Sequence, residues 1–357
     1  MKGYLVFAAM LFTMATLAQN KIENVILVTT DGLRWQEVFK GLDPEFTRGP
    51  WVDAEDSLLI VQEYWDRDPI KTREKLMPFM WSYIAKHGQI YGNRQYGNFV
   101  NVMNPYWYSY PGYNEMITGY GDPAINSNDI GMNPNVSVFE YLVKQPAFKN
   151  KAAAFGAWEA FNRILNEDRS GIPVVTGYQP IKARKLSARE QFLNELKEDT
   201  RTRGKDIYAL HGALECLRNR KPRLLQVSFD DTDHYSHASQ YYNYINAARL
   251  FDQYLEKIWN YVQSDPHYRN KTAIIVTTDH GRGDAVKKEW SDHGGHIKGA
   301  DQVWIAVLAP GIPPRGEVKE PMQLHLAQVA QTIAKFLGQT YTGSHPIAPA
   351  IKEIWEK

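Results

Sequence analysis

The sequence predicts an α/β fold: a three-layer sandwich in which a mostly parallel central sheet is flanked by helices. Short apolar runs rich in β-branched residues alternate with longer segments of helical periodicity, as in sheets built from β-α-β units. Three of the apolar runs end directly in acidic residues. Because ligands of open α/β sheets bind beyond the carboxyl ends of the strands, this pattern predicts a functional site at that edge.

The predicted strands are short and nearly continuous in apolar residues, as expected for strands buried on both faces. They are residues 24–30, 152–156, 223–229, 272–278 and 303–308. Helical periodicity covers residues 241–262 and 322–337. Residues 159–205 are more polar and irregular, and we expect them to form a cap or insertion beside the site. With no internal repeat or low-complexity linker, residues 19–357 are predicted to form one catalytic domain.

The composition is that of a folded protein without a strong charge bias. Of 357 residues, 43% are hydrophobic, and 41 basic residues balance 40 acidic ones to give a net charge of +1. Such a chain lacks the positive field that binding to nucleic-acid duplexes requires. Cys216 is the only cysteine, so no intramolecular disulfide can form. It lies in an apolar helical pattern, which predicts a buried, inert thiol.

The first 18 residues have the pattern of a signal peptide. Lys2 is followed by an apolar run from Tyr4 to Leu17, and Ala18 precedes Gln19 at a small-residue cleavage position. The run is shorter than the roughly 20 residues of a membrane-spanning helix, although an uncleaved anchor is the alternative. We therefore expect a periplasmic or secreted protein with no membrane span after cleavage.

Carboxylates and histidines cluster where the predicted strands end. Asp31 follows the first strand, and Asp279 and His280 follow residues 272–278. Asp233 and His237, four positions apart after residues 223–229, can face one ion from a single helical turn. The loop after Asp279 carries His293 and, three residues later, His296. Imidazole and carboxylate are the ligands of catalytic zinc, so the pattern predicts a metal site.

The motifs follow one another in a fixed order. They are Asp31-Gly32, then Ser109-Tyr110-Pro111 with Thr118-Gly119, then Ile125 and Asn128, Asp233 with His237, Asp279-His280-Gly281, and His293-Gly294. As a set, from residue 25 to about 310, they resemble the nucleotide pyrophosphatase/phosphodiesterase branch of the alkaline phosphatase superfamily. The resemblance implies an alkaline phosphatase-like fold and a hydrolase of small-molecule phosphoesters.

The resemblance also implies a role for each matching residue. It implies two zinc ions, with other divalent metals as alternatives. The ligands would be Asp233, His237 and His293 for one ion, and Asp31, Ser109, Asp279 and His280 for the other. Ser109 would be the nucleophile and form a covalent phosphoseryl intermediate. Asn128 and a backbone N–H near Ser109 would hold the non-bridging oxygens, although a simple turn role for Asn128 is the alternative.

Some residues depart from the family pattern. The family more often has threonine in place of Ser109, and residues 112–115 differ from the asparagine-histidine pair of the nucleotide enzymes. A counterpart of the arginine, or of the third magnesium site, of true alkaline phosphatases is not evident. A phosphodiesterase or nucleotide pyrophosphatase is the leading hypothesis. A phosphomonoesterase, a sulfate or phosphonate ester hydrolase and a non-catalytic binding protein are the alternatives. His296 is expected to hydrogen-bond a ligand or to contact substrate.

Overall fold

The structure is a computed structural model that describes residues 22–177, 179–200 and 206–356. The predicted signal peptide, residues 1–18, lies outside the described residues. In chain order the strands β1 to β11 are Asn24–Thr30, Gln89–Tyr91, Asn98–Asn101, Ala152–Gly156, Val174–Thr176, Leu224–Phe229, Thr272–Thr278, Gln302–Val303, Ile305–Leu308, Gly316–Glu317 and Met322–His325.

Helices connect and cover these strands. In chain order α1 to α13 are Trp35–Lys40, Ala54–Tyr64, Pro69–Leu76, Ala85–His87, Ser109–Thr118, Val138–Val143, Phe161–Ile164, Glu167–Ser170, Ala188–Thr200, Asp206–Asn219, Asp231–His237, Tyr241–Ser264 and Gln328–Phe336. A π-helical segment, Met80–Ile84, precedes α4. Short 3₁₀ turns are Pro44–Thr47, Gly49–Trp51, Arg94–Tyr96, Pro146–Phe148, Lys287–Ser291 and Lys352–Ile354. Among the described helices, none combines the length and apolar character that crossing a bilayer requires.

The central sheet has eight strands in the order β10-β2-β9-β7-β1-β6-β4-β5. All neighbours pair in parallel except β9, which runs antiparallel to both β7 and β2. A smaller sheet has the order β11-β3-β8. The predicted α/β class with a mostly parallel central sheet is therefore confirmed.

Hydrophobic cores lie on both faces of the central sheet. In β1, Ile26 and Val28 face one core, while Val25 and Leu27 face the other. This alternation is the period of a strand, so each face is covered by its own layer of helices. Cys216 lies in the first core, fully buried, and burial raises the pKa of its thiol to about 12. The prediction of a buried, inert thiol is consistent with this position.

Two sequence predictions on the later part of the chain are wrong in detail. Residues 303–308 are not one strand, because β8 and β9 belong to different sheets on either side of Trp304. β8 pairs with β3, whereas β9 pairs with β7 and β2, and the buried indole of Trp304 between them donates to the carbonyl of Leu33 at 3.0 Å. Residues 322–337 are not all helical, since β11 pairs with β3 before α13 begins.

Residues 159–205 contribute to both the sheet and its covering layers. The strand β5 is the edge of the central sheet, paired in parallel with β4. Phe161 and Ile164 of α7 are buried in the second core, whereas α9 lies against α10 on the opposite side. The cap or insertion, and the single catalytic domain, remain predictions.

Candidate metal centre

The site lies at the carboxyl ends of the three central strands. In the register of β1 between β6 and β7, Thr30 is level with both Phe229 and Thr278, so the residues that follow emerge side by side. The short helix α11 begins directly after β6. The hydroxyl of Thr232 in α11 donates to the carbonyl of Asp31 at 2.5 Å and ties this helix to the end of β1.

Four predicted residues form the inner site, which we define as Asp31, Ser109, Asp279 and His280. The Nε2 atom of His280 is 3.2 Å from Oδ1 of Asp31 and 3.6 Å from Oδ2 of Asp279. The same nitrogen is 3.3 Å from Oγ of Ser109, and that oxygen is 3.4 Å from Oδ1 of Asp31. All four side chains are buried. Three of them, Asp31, Asp279 and His280, have ligand atoms close enough together to share one ion.

The remaining three predicted ligands form the outer site, defined as Asp233, His237 and His293. The Nε2 atoms of His237 and His293 are 3.1 Å apart, a separation that suits two ligands of one ion. Oδ2 of Asp233 is 3.4 Å from Nε2 of His237, and its Oδ1 is 3.8 Å from Nε2 of His293. His237 is 46% exposed, so this site opens to solvent. His280, 4.0 Å from Asp233, adjoins both sites.

Backbone carbonyls fix the orientation of two histidines. Nδ1 of His280 lies 2.8 Å from the carbonyl of Gly281, and Nδ1 of His293 lies 3.0 Å from the carbonyl of Trp107. Because a carbonyl only accepts, each Nδ1 carries the proton and each Nε2 presents its lone pair to the cluster. This is the usual arrangement of metal-binding histidines.

The inner site has more buried negative charge than its neighbours balance. Oδ1 of Asp279 accepts from the N–H of Gly32 at 3.1 Å, but its buried Oδ2 has no hydrogen-bond partner within the described chain. Burial and then the charge of Asp233 raise the pKa of Asp31 well above its usual value. Burial and then the charge of Asp31 do the same to the pKa of Asp279. A divalent cation would satisfy both carboxylates, so these residues fit a metal.

The outer site contains a buried cation of its own, Arg282. Its Nη2 contacts Oδ1 of Asp233. Burial acts to raise the pKa of Asp233, but Arg282 and then His293 outweigh it, and the pKa is lowered. Arg282 is not among the residues predicted from the sequence. The only signal is its position directly after Asp279-His280-Gly281, which by itself does not specify a contact.

Ser109 is the first residue of α5, beside the inner site. The first N–H groups of a helix have no intrahelical partner, and its positive dipole end favours anions there. The N–H of Tyr110 donates to Oδ1 of Asn128 at 2.9 Å, so the side chain of Asn128 lies next to Ser109 with its NH₂ group still available as a donor. Asn128 is thus next to the nucleophile candidate, where the resemblance expects it.

The helix α5 lies directly against the main chain of the inner site. A Cβ atom on Gly112 would lie 2.3 Å from the carbonyl oxygen of Asp279. Real Cβ atoms do not come that close to an oxygen, so this contact requires glycine. The position of Ser109 relative to Asp279 is therefore fixed by backbone packing.

The segment before α5 positions His293 from the other side. The buried carboxylate of Glu115 accepts from the N–H groups of Met103 and Asn104 at 2.8 Å. Oδ1 of Asn104 in turn accepts from the N–H of Trp107 at 3.2 Å. Trp107 has a φ of 50°, and this conformation turns its carbonyl towards His293. A sequence pattern could not reveal this support, because it depends on an unusual backbone conformation at a tryptophan.

The structure brings all seven predicted metal ligands together, with Asn128 beside them. His296 is exposed, and nothing in the described structure places it against the other site residues. Whether the seven residues bind metal and whether Ser109 attacks substrate remain predictions.

Comparisons with known proteins give the class of this fold. Residues 196–341 match the family model of the Metalloenzyme superfamily. The solved structures that are similar include the wild type alkaline phosphatase PafA, at 9% identity and a TM-score of 0.62, covering 94% of this chain and 99% of that one. The phosphonate monoester hydrolase of Agrobacterium radiobacter is similar at 13% identity and a TM-score of 0.56, covering 94% and 76%. Curated protein sequences give no match.

A third similar structure is a 2-O GAG sulfatase, at 13% identity and a TM-score of 0.57, covering 94% of this chain and 77% of that one. At these identities the structures show that the chain shares their fold, and this fold and the family model matched by residues 196–341 agree with the resemblance to the alkaline phosphatase superfamily. This chain therefore shares its fold with hydrolases that act on different esters. The nucleotide pyrophosphatase/phosphodiesterase branch remains a prediction.

Proposed function

We propose that this chain is an exported, metal-dependent hydrolase of phosphoric esters, of the phosphodiesterase or nucleotide pyrophosphatase type. The observation that carries the proposal is the position of Ser109. Its hydroxyl lies at the start of a helix and within 3.4 Å of both His280 and Asp31, two of the candidate metal ligands. A serine hydroxyl needs an activating group to act as a nucleophile at neutral pH, and metal coordination is one such device.

Two divalent metal ions, with zinc as the first candidate, would be held by the inner and outer sites. The unpartnered Oδ2 of Asp279 and the inward-facing Nε2 atoms of His280 and His293 support this assignment. When bound, the metals supply positive charge that favours the ionised Ser109 hydroxyl and the negative oxygens of the substrate. Mixed imidazole and carboxylate donors suit zinc, and manganese or iron are the alternatives to test.

Residues of the chain account for the remaining steps of the reaction. Oγ of Ser109, after its proton has passed to solvent, forms a bond to phosphorus while the bond from phosphorus to the leaving oxygen breaks. The leaving oxygen takes up a proton from solvent, and a phosphoseryl intermediate remains. Attack of water on phosphorus then breaks the bond to Oγ and releases phosphate or its monoester. The NH₂ group of Asn128, whose Oδ1 accepts from the N–H of Tyr110, and a backbone N–H near Ser109 would donate to the non-bridging oxygens, where negative charge accumulates.

A sulfate or phosphonate ester hydrolase is the second candidate. The similar folds include a sulfatase and a phosphonate monoester hydrolase, and both kinds of ester present an anionic tetrahedral centre. A phosphomonoesterase is a further alternative, and the same substrate assay tests it. A non-catalytic binding protein is disfavoured because the nucleophile candidate and all seven ligand candidates are present and lie together.

The deciding experiment assays purified, metal-analysed protein on matched chromogenic esters: a phosphate diester, a phosphate monoester, a phosphonate monoester and a sulfate ester. We expect the highest kcat/KM on the diester. We also expect loss of activity after removal of metal by a chelator and recovery with Zn²⁺. A preference for the sulfate ester would replace the leading function with the second candidate. Absence of turnover on all four esters by metal-loaded protein would overturn the hydrolase proposal.

A further inference from the structure

Arg282 joins three segments that carry candidate metal ligands. Its Nε donates to the carbonyl of Gly32 at 2.9 Å, directly after Asp31. Its Nη1 donates to the carbonyl of Ser291 at 2.7 Å, two residues before His293. Its Nη2 contacts Oδ1 of Asp233. The side chain is fully buried, so none of these bonds competes with solvent.

The two carboxylate oxygens of Asp233 have different partners, because only Oδ1 contacts Arg282. Oδ1 contacts the guanidinium and lies 3.8 Å from Nε2 of His293, while Oδ2, which Arg282 does not contact, lies 3.4 Å from Nε2 of His237. No lysine or arginine within the described residues makes such an ion pair with Asp31 or Asp279, the inner carboxylates. The arginine therefore acts on the outer site more than on the inner one.

The chain is also built to make room for this guanidinium. Gly32 has a φ of 58°, and a Cβ atom there would lie 2.5 Å from Nη2 of Arg282. Glycine is thus required at position 32 both by its backbone conformation and by the approach of the arginine. A lysine could not replace Arg282, because one ammonium group on a flexible stem cannot reproduce a planar fork of donors aimed in three directions.

We propose that Arg282 is a positioning residue that preforms the outer metal site. It fixes Asp233 so that Oδ2 is presented to the ion, and it ties the loop carrying His293 to the loop carrying Asp31. This inference rests on the metal centre of the proposed function but not on the identity of the ester. Partners that orient metal ligands typically change metal affinity by about 10- to 100-fold when removed.

The test measures metal affinity without substrate, so that its failure is separate from failure of the hydrolase assignment. Wild-type protein, R282K and R282Q are titrated with Co²⁺ against a competing chelator, and the visible absorption of Co²⁺ reports the ligand geometry. The H293A variant identifies which of the two binding events belongs to the outer site. The matched control is R73K, because Arg73 is another forked arginine, paired with Glu317 outside the site.

We expect R282K and R282Q to bind the outer ion about 10- to 100-fold more weakly. The inner ion should bind with nearly unchanged affinity, and R73K should match wild type at both sites. If neither Arg282 variant folds, R282M serves instead, because it keeps a buried stem of similar length without the fork of donors and should lower the outer affinity in the same way. Unchanged outer affinity, equal losses at both sites, or a wild-type protein that binds no outer ion would each overturn the proposal.

Discussion

The inner and outer sites adjoin at His280 but are built differently. The inner site stands on the ends of buried strands, and burial raises the pKa of its two carboxyl groups, Asp31 and Asp279. The outer site stands on a short helix and a loop, is open to solvent at His237, and has a lowered pKa at Asp233 because of Arg282. When the two inner carboxyl groups are ionised, only an incoming cation can balance their charge. The charge of the outer carboxylate, Asp233, is already balanced by Arg282. We expect the inner metal to bind more tightly and the outer one to exchange faster.

The largest expected effect is the loss of turnover in a Ser109 variant that still binds metal at the inner site. S109A should lose turnover by on the order of 10⁴-fold or more, since it lacks the attacking oxygen. The variant should keep nearly its full metal content, because Ser109 is only one of four inner ligand candidates. Turnover of the phosphate diester and metal analysis on the same preparation check both statements. Retention of most activity would transfer the attack to a water molecule and refute the phosphoseryl mechanism.

The next effect concerns the histidine that closes the outer site. H293A should reduce bound zinc to about one equivalent and lower kcat/KM by ~10²-fold or more, comparable to the loss of other charge-stabilising groups. H296A is the matched control from the same loop, and it should keep both equivalents and lose less activity. The exposed position of His296 and the bond from His293 to the carbonyl of Trp107 are the reasons for this asymmetry. Equal zinc loss in the two variants would contradict the assignment.

The smallest expected effect is a difference in the number of protons released when metal binds to the inner and to the outer site. Because the pKa values of Asp31 and Asp279 are raised, these carboxyls hold protons to a higher pH than ordinary carboxyls when no metal is bound, and the inner ion must displace those protons. The affinity of the inner site for metal should therefore rise as the pH increases through the raised pKa values of Asp31 and Asp279. At the outer site burial is the main reason that the pKa values of His237 and His293 are lowered. The pKa of Asp233 is also lowered. These outer ligand candidates therefore lose their protons at a lower pH than ordinary groups of the same kind, and fewer protons remain for the outer ion to displace.

Calorimetric titration in buffers of different ionisation enthalpy measures this release. H293A isolates filling of the inner site, and D279N isolates filling of the outer site. We expect more protons to leave with the inner ion. If as many or more protons left when metal bound to the outer site, the proposed electrostatic difference between the two sites would be wrong.

The central features of the fold were predictable because they depend on local patterns. The strand 24–30 and the helix beginning at Tyr241 follow from continuous apolar runs and from helical periodicity. The convergence of Asp31 and Asp279 followed from a general property of parallel sheets. The strand Met322–His325 was missed because it forms only through pairing with β3, about 220 residues earlier in the chain.

Contacts of the site that depend on three-dimensional packing were not predictable in the same way. Arg282 is adjacent in sequence to a recognised motif, but its partners at Gly32, Asp233 and Ser291 come from three other segments. Trp107 supports His293 through a carbonyl, a group that every residue has and that no sequence pattern distinguishes. The sequence thus indicates which side chains are candidate ligands, whereas it does not indicate the groups that orient them.

The contact of Gly112 with the carbonyl of Asp279 has a consequence for how this enzyme scaffold can diversify. Because main-chain packing fixes how closely α5 approaches the inner site, the distance from Ser109 to the inner ligand candidates does not depend on side chains outside this contact. Side chains that take no part in this contact can therefore be exchanged during evolution without moving Ser109. Selection can thus alter which ester enters while the reacting geometry is inherited unchanged.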